Sequence, residues 1–184
     1  MLSNSVPVKA DEMKKVVRLY YGFQFFFSLL IWLPIFYAYQ KAIGLNDDQI
    51  FRIQSFYYVA FCLLEIPTGL AADRFGYRLC LRLGALTVAV ANLLPIFAQN
   101  YNGFLIHFML IALARSLISG ASSAYLYDYL QAQGAAAHYK VIEGRARAYG
   151  LAGKVVFWSA VGFLMEWRLT APYWATFIAT AISV

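Results

Sequence analysis

An all-α bundle that crosses a membrane six times is the fold class this sequence predicts, on three observations. The 184 residues are 62% hydrophobic and only 13% charged, with mean hydropathy +0.61; a soluble domain is about a quarter charged. Apolar runs of about the 20 residues needed to cross roughly 30 Å of hydrocarbon recur along the chain. Lys and Arg alternate in abundance from one connecting segment to the next. Such a composition excludes intrinsic disorder. It also gives no nucleic-acid partner, because the net charge of +6 is spread over short segments rather than gathered on one domain. The partner it calls for is the lipid bilayer.

Residues 1–18 are mostly polar and read as a cytoplasmic tail. The apolar stretch behind them is too long for a secretory signal and lacks its small-residue cleavage site, so it is retained as a span. Candidate spans cover 19–40, 51–72, 79–98, 103–127 and 148–167, and residues 19–184 form one six-span bundle. The sixth begins at Ala171, with Pro172 near its start where a missing N–H does no harm. It is still apolar at Val184, about 21 Å along, so the sequence is expected to end inside the membrane. Pro34, Pro67 and Pro95 lie in or near spans and are expected to bend them.

Orientation follows from the basic residues, which favour the cytoplasm. Ten lie on one side: Lys9, Lys14, Lys15 and Arg18 in the tail, Arg74, Arg78 and Arg82 in the second connection, and Lys140, Arg145 and Arg147 in the fourth. The other side has three, Lys41, Arg52 and Arg168, and Arg115 and Lys154 fall within spans. The bias puts the N-terminus inside. The fourth connection is expected to lie as a polar segment on the cytoplasmic surface.

Cys62 and Cys80 are too few for a disulfide scaffold. His107 and His138 are far apart, and no HExxH, Gly-x-Ser-x-Gly or phosphate-cradling loop is present, so neither an enzyme nor a cofactor or metal is expected.

The most informative stretch is Glu65-Ile-Pro-Thr-Gly69-Leu-Ala-Ala-Asp73-Arg74-Phe-Gly76-Tyr-Arg78. Gly69 permits close approach of a neighbouring helix, Asp73 ends the span in a position to take a donor, and Gly76 supplies the freedom for a tight turn. Arg74 and Arg78 offer forked donors for a carboxylate or for open helix carbonyls. The segment resembles the loop signature Gly-x-Leu-Ala-Asp-Arg-x-Gly-Arg-Arg/Lys of the major facilitator superfamily of secondary transporters. Gly69, Ala72, Asp73, Arg74, Gly76 and Arg78 match in register; Ala71 replaces Leu, and Tyr77 replaces the first basic residue. The resemblance implies the N-terminal six-helix half of a transporter in a bacterial inner membrane. It also implies a second six-helix half as partner, joined covalently or as a subunit, and alternating access for a small organic solute. Under it Arg78 pairs with Asp128 at the end of span four, and spans one and four line the pathway. A non-transporting membrane scaffold or accessory subunit is the alternative.

Charges inside spans must be paired or wet. Glu65 and Arg115 are expected either as a permanent pair or with Glu65 carrying protons, and Arg115 alternatively as an anion site. Lys154 is close enough to the predicted cytoplasmic end of its span to snorkel. Tyr21, Gln24, Ser28 and Trp32, at steps of 3, 4 and 4, share one helical face, and Gln54, Tyr58, Cys62 and Glu65 form a similar stripe. Both stripes suit a polar cavity wall, and both suit ordinary packing.

Overall fold

The computed structural model describes residues 10–183, and these are helical or in short connections, with no strand among them. Lys9 and the rest of the predicted tail up to it lie outside the described residues. The elements are α1 (Ala10–Ser28), α2 (Phe36–Ala42), α3 (Asp47–Phe75), α4 (Tyr77–Ala91), α5 (Leu94–Phe97), α6 (Tyr101–Ala132), α7 (Tyr139–Trp167) and α8 (Ala171–Ile182). Five stretches are long and apolar enough to cross a membrane: Asp11–Ala42, Asp47–Phe75, Tyr77–Phe97, Tyr101–Ala132 and Ala136–Trp167. The protein is a multi-pass membrane helix bundle. Its N-terminal face carries the start of α1, and the opposite side is called the far face below.

Three boundaries differ from expectation. Residues 10–18 are already α1, so half of the predicted tail is helix. The fourth connection shrinks to 133–135 and a 3-10 turn, Ala136–His138, so Glu143, Arg145 and Arg147 belong to α7 and not to a surface loop. The first and third spans are each interrupted.

Both interruptions sit at a proline. A proline inside a helix removes one N–H and clashes with the carbonyl four residues earlier, which must find another donor. Before Pro34 that carbonyl is Leu30, and it accepts the Leu33 N–H at 3.0 Å and the Trp158 indole N–H at 3.1 Å. The neighbouring Ile31 N–H donates to Thr176 Oγ1 at 3.0 Å. Before Pro95 it is Ala91, whose carbonyl lies 2.8 Å from His107 Nδ1. A carbonyl only accepts, so Nδ1 carries the proton. The two breaks are tied together where Trp32 Nε1 donates to Asn92 Oδ1 at 2.7 Å while Asn92 Nδ2 donates to the Val88 carbonyl at 2.8 Å. Pro67, by contrast, is carried within α3 without interruption. Thr68 Oγ1 there donates to the Leu64 carbonyl at 2.7 Å.

Around the breaks lies the main core, on the far-face side. Trp32 stacks on Tyr173 with centroids 5.6 Å apart, and Tyr39, Phe104, His107 and Phe108 pack edge-on or tilted against this pair or each other. All are buried. Helices α3, α4 and α6 pack into one group and α1 and α7 into another, and α8 bridges them, packing against α4 on one side and α1 and α7 on the other. Within the groups small residues set the spacing. A Cβ on Gly84 of α4 would lie 2.5 Å from Ile118 of α6, and one on Gly153 of α7 would lie 2.7 Å from the Phe25 ring of α1. Close approach of this kind is how helices pack in lipid, where burial against tails gives no hydrophobic gain.

Candidate functional site: a charged cavity

On the N-terminal side of that core the two helix groups part, and a cavity of about 420 Å³ opens between α1, α6 and α7. Gln24 and Ser28 of α1, Arg115, Ser119, Ser122 and Ser123 of α6, and Glu143, Arg147 and Lys154 of α7 line it. Three cations and one carboxylate therefore face a single space.

The carboxylate is the best-partnered group there. Glu143 is 8% exposed. Its Oε2 accepts the Tyr20 hydroxyl at 2.6 Å, and its Oε1 accepts Arg147 Nε at 2.9 Å and the Ser123 hydroxyl at 3.3 Å. Gln24 Nε2 donates to Ser122 Oγ at 2.6 Å and to Tyr20 Oη at 2.9 Å, which closes a network across all three helices. Gly150 lets α7 approach α1 closely here, since a Cβ there would lie 2.7 Å from Ser28 Oγ.

Arg115 and Lys154 are treated differently. Arg115 Nη1 donates to Tyr57 Oη at 2.9 Å, and the guanidinium lies 5.9 Å from the Phe61 ring centroid. Lys154 Nζ lies 5.6 Å from the centroid of the Trp158 ring. Among the described residues neither has a carboxylate within salt-bridge distance.

Several expectations change as a result. Glu65 does not pair with Arg115. Helices α3 and α6 run in the same direction and Tyr57 marks the level of Arg115, so Glu65, eight residues on, lies about 12 Å further along and is exposed on another face. Lys154 does not snorkel to the N-terminal face. Since α7 starts at Tyr139, Lys154 is about 22 Å into the helix. It reaches toward Trp158, one turn deeper.

The span-one stripe divides because α1 ends at Ser28. Gln24 and Ser28 line the cavity, whereas Trp32 lies beyond the break, 1% exposed in the core. Tyr21 packs edge-on against Tyr149, 5.4 Å between centroids, in a separate crevice between α1 and α7. The span-two stripe lines no part of this cavity: Tyr58, Cys62 and Glu65 are exposed, and Gln54 is partly covered.

At the N-terminal face the motif residues gather where α3 turns into α4. Gly76 makes the turn at φ +91°, a conformation that favours glycine. No ion pair joins Arg78 to Asp73 or Asp128 among the described residues. Arg78 instead covers the Tyr125 ring at 5.5 Å, one turn before Asp128, and Asp73 accepts the Tyr77 hydroxyl at 3.4 Å. Arg74 lies over the Phe75 ring at 5.7 Å. Next to Gly69 nothing lies within 4 Å of a built Cβ, so no helix makes the predicted close approach. Gly69 sits on a stretch of α3 left largely uncovered.

Glu143, Arg147, Tyr20, Ser122 and Ser123 are site residues that the sequence expectations do not include. A signal was present: Glu143, Arg147, Gly150 and Lys154 stand at steps of 4, 3 and 4, one face of a helix. Taking 128–147 as a loop hid it. No protein-family model matches this chain, and no curated protein matches it.

Proposed function

We propose that this chain is half of a secondary transporter of the major facilitator type, moving a small organic solute through alternating access. The observation that carries the proposal is the charged cavity. Ionised side chains near the middle of long apolar helices cost several kcal/mol unless they are paired or wet, and in membrane proteins they mark pathways. Arg115, Ser119 and Arg147 are open to that cavity and not covered by this chain. A second six-helix half, related by an axis along the membrane normal, supplies the missing wall. Support comes also from the Gly69 to Arg78 motif at the α3–α4 turn, which this reading uses as a latch with Asp128, and from the lining of the cavity by the first and fourth spans. Arg78 stacked on Tyr125 is then the unlatched arrangement, and rocking of the halves brings it to Asp128.

Single-cysteine accessibility tests the proposal without knowledge of the solute. In an intact protein lacking Cys62 and Cys80, Asn100→Cys should label from outside only and Gln133→Cys from inside only. Ser119→Cys, in the cavity, should label from both sides. Labelling of Ser119→Cys from one side alone would exclude alternating access and leave a scaffold. Reversed labelling at Asn100 and Gln133 would overturn the orientation.

A further inference from the structure

We infer that the cavity recognises an organic anion, whose carboxylate or phosphate group is met by Arg115 and Lys154. The inference rests on the transport reading for the ligand being cargo, but not for its charge.

The charge follows from counting partners. Glu143 is the cavity's one carboxylate, and its oxygens already take Arg147, Tyr20 and Ser123. Setting Glu143 against Arg147 leaves Arg115 and Lys154 uncompensated. Arg115 spends one of its five N–H donors on Tyr57. That bond holds the guanidinium in place without neutralising it. Lys154 makes no hydrogen bond among the described residues and has only the face of Trp158. It lies too deep in α7 for its ammonium to reach the N-terminal face. Two cations at membrane depth with no counter-charge carry a cost that cavity water only partly offsets, and an anionic ligand removes it through charge-assisted hydrogen bonds. A cationic ligand would add to it, and a neutral one would leave it in place. The hydroxyls of Ser119, Ser122 and Ser123 line the same space, while Phe27 and Leu30 give it an apolar side for the organic part.

The test separates charge from shape. Full-length protein purified in detergent at low salt is titrated with benzoate, phenyl phosphate, acetate and inorganic phosphate, and with benzamide and benzylamine as neutral and cationic counterparts of benzoate. Binding is read from thermal midpoints and tryptophan fluorescence. Benzoate or phenyl phosphate should bind at least about tenfold more tightly than benzamide, the size of one charge-assisted hydrogen bond. Arg115→Gln and Lys154→Gln should each remove about that factor, and Arg115→Lys should keep most of it. Lys154→Gln breaks no hydrogen bond and carries the test even where Arg115→Gln folds poorly. Equal binding of benzamide and benzoate, or no response to any of the four anions, would overturn the inference. Flux is followed separately in vesicles. Anion binding that depends on Arg115 and Lys154 without flux would refute the transport reading and leave the anion site standing.

Discussion

Two polar clusters lie at membrane depth in this bundle, and they are built on opposite principles. One joins Trp32, Asn92 and His107 around the proline breaks; it is uncharged and fully enclosed, and each of the three makes a hydrogen bond to a group the breaks displaced or to its neighbour. The other joins Glu143, Arg147, Arg115 and Lys154; it is charged, opens on a cavity and leaves two cations without counter-charge. The first repairs the backbone. In the second, charge is retained beyond what repair needs, and that surplus is what the anion proposal rests on.

Substitutions can break this contrast. Glu143→Ala should have the largest effect, because it strips partners from Tyr20, Ser123 and Arg147 at once. A loss of about 2–3 kcal/mol is expected in unfolding from mixed micelles, with Glu143→Gln milder because it still accepts hydrogen bonds. Asn92→Leu should cost less, about 1–2 kcal/mol, since one buried indole N–H loses its acceptor and such bonds are modest in membranes. Binding of benzoate should survive Asn92→Leu if the two clusters have separate roles. Glu65→Gln should have the smallest effect, with unfolding unchanged and no coupling to Arg115→Gln in a double-mutant cycle, because no ion pair joins them among the described residues. Measurable coupling there would restore the pair that the sequence led us to expect.

The helical fold and the approximate spans were legible because hydropathy over some 20 residues is a strong, redundant signal. Breaks and ends were not. Pro34 and Pro67 look alike in sequence, yet one interrupts a span and the other does not. The difference lies in whether distant groups stand ready: Trp158 and Thr176, more than a hundred residues away, satisfy the backbone at the first break. Site residues failed for a related reason. Arg115 was singled out because an Arg inside an apolar run is conspicuous, whereas Glu143 and Arg147 lie in a stretch polar enough to pass for a loop. Only the extension of α7 back to Tyr139 turns them inward. Glu65 was conspicuous in the same way as Arg115, but sequence carries no information on which helix covers which face.

Trp158 belongs to both halves of this comparison. Its ring face lies under the Lys154 ammonium, and its edge N–H holds the Leu30 carbonyl at the break in the first span. One rigid indole thus spans the distance between the charged cavity and the joint that sets the direction of the chain beyond Ser28.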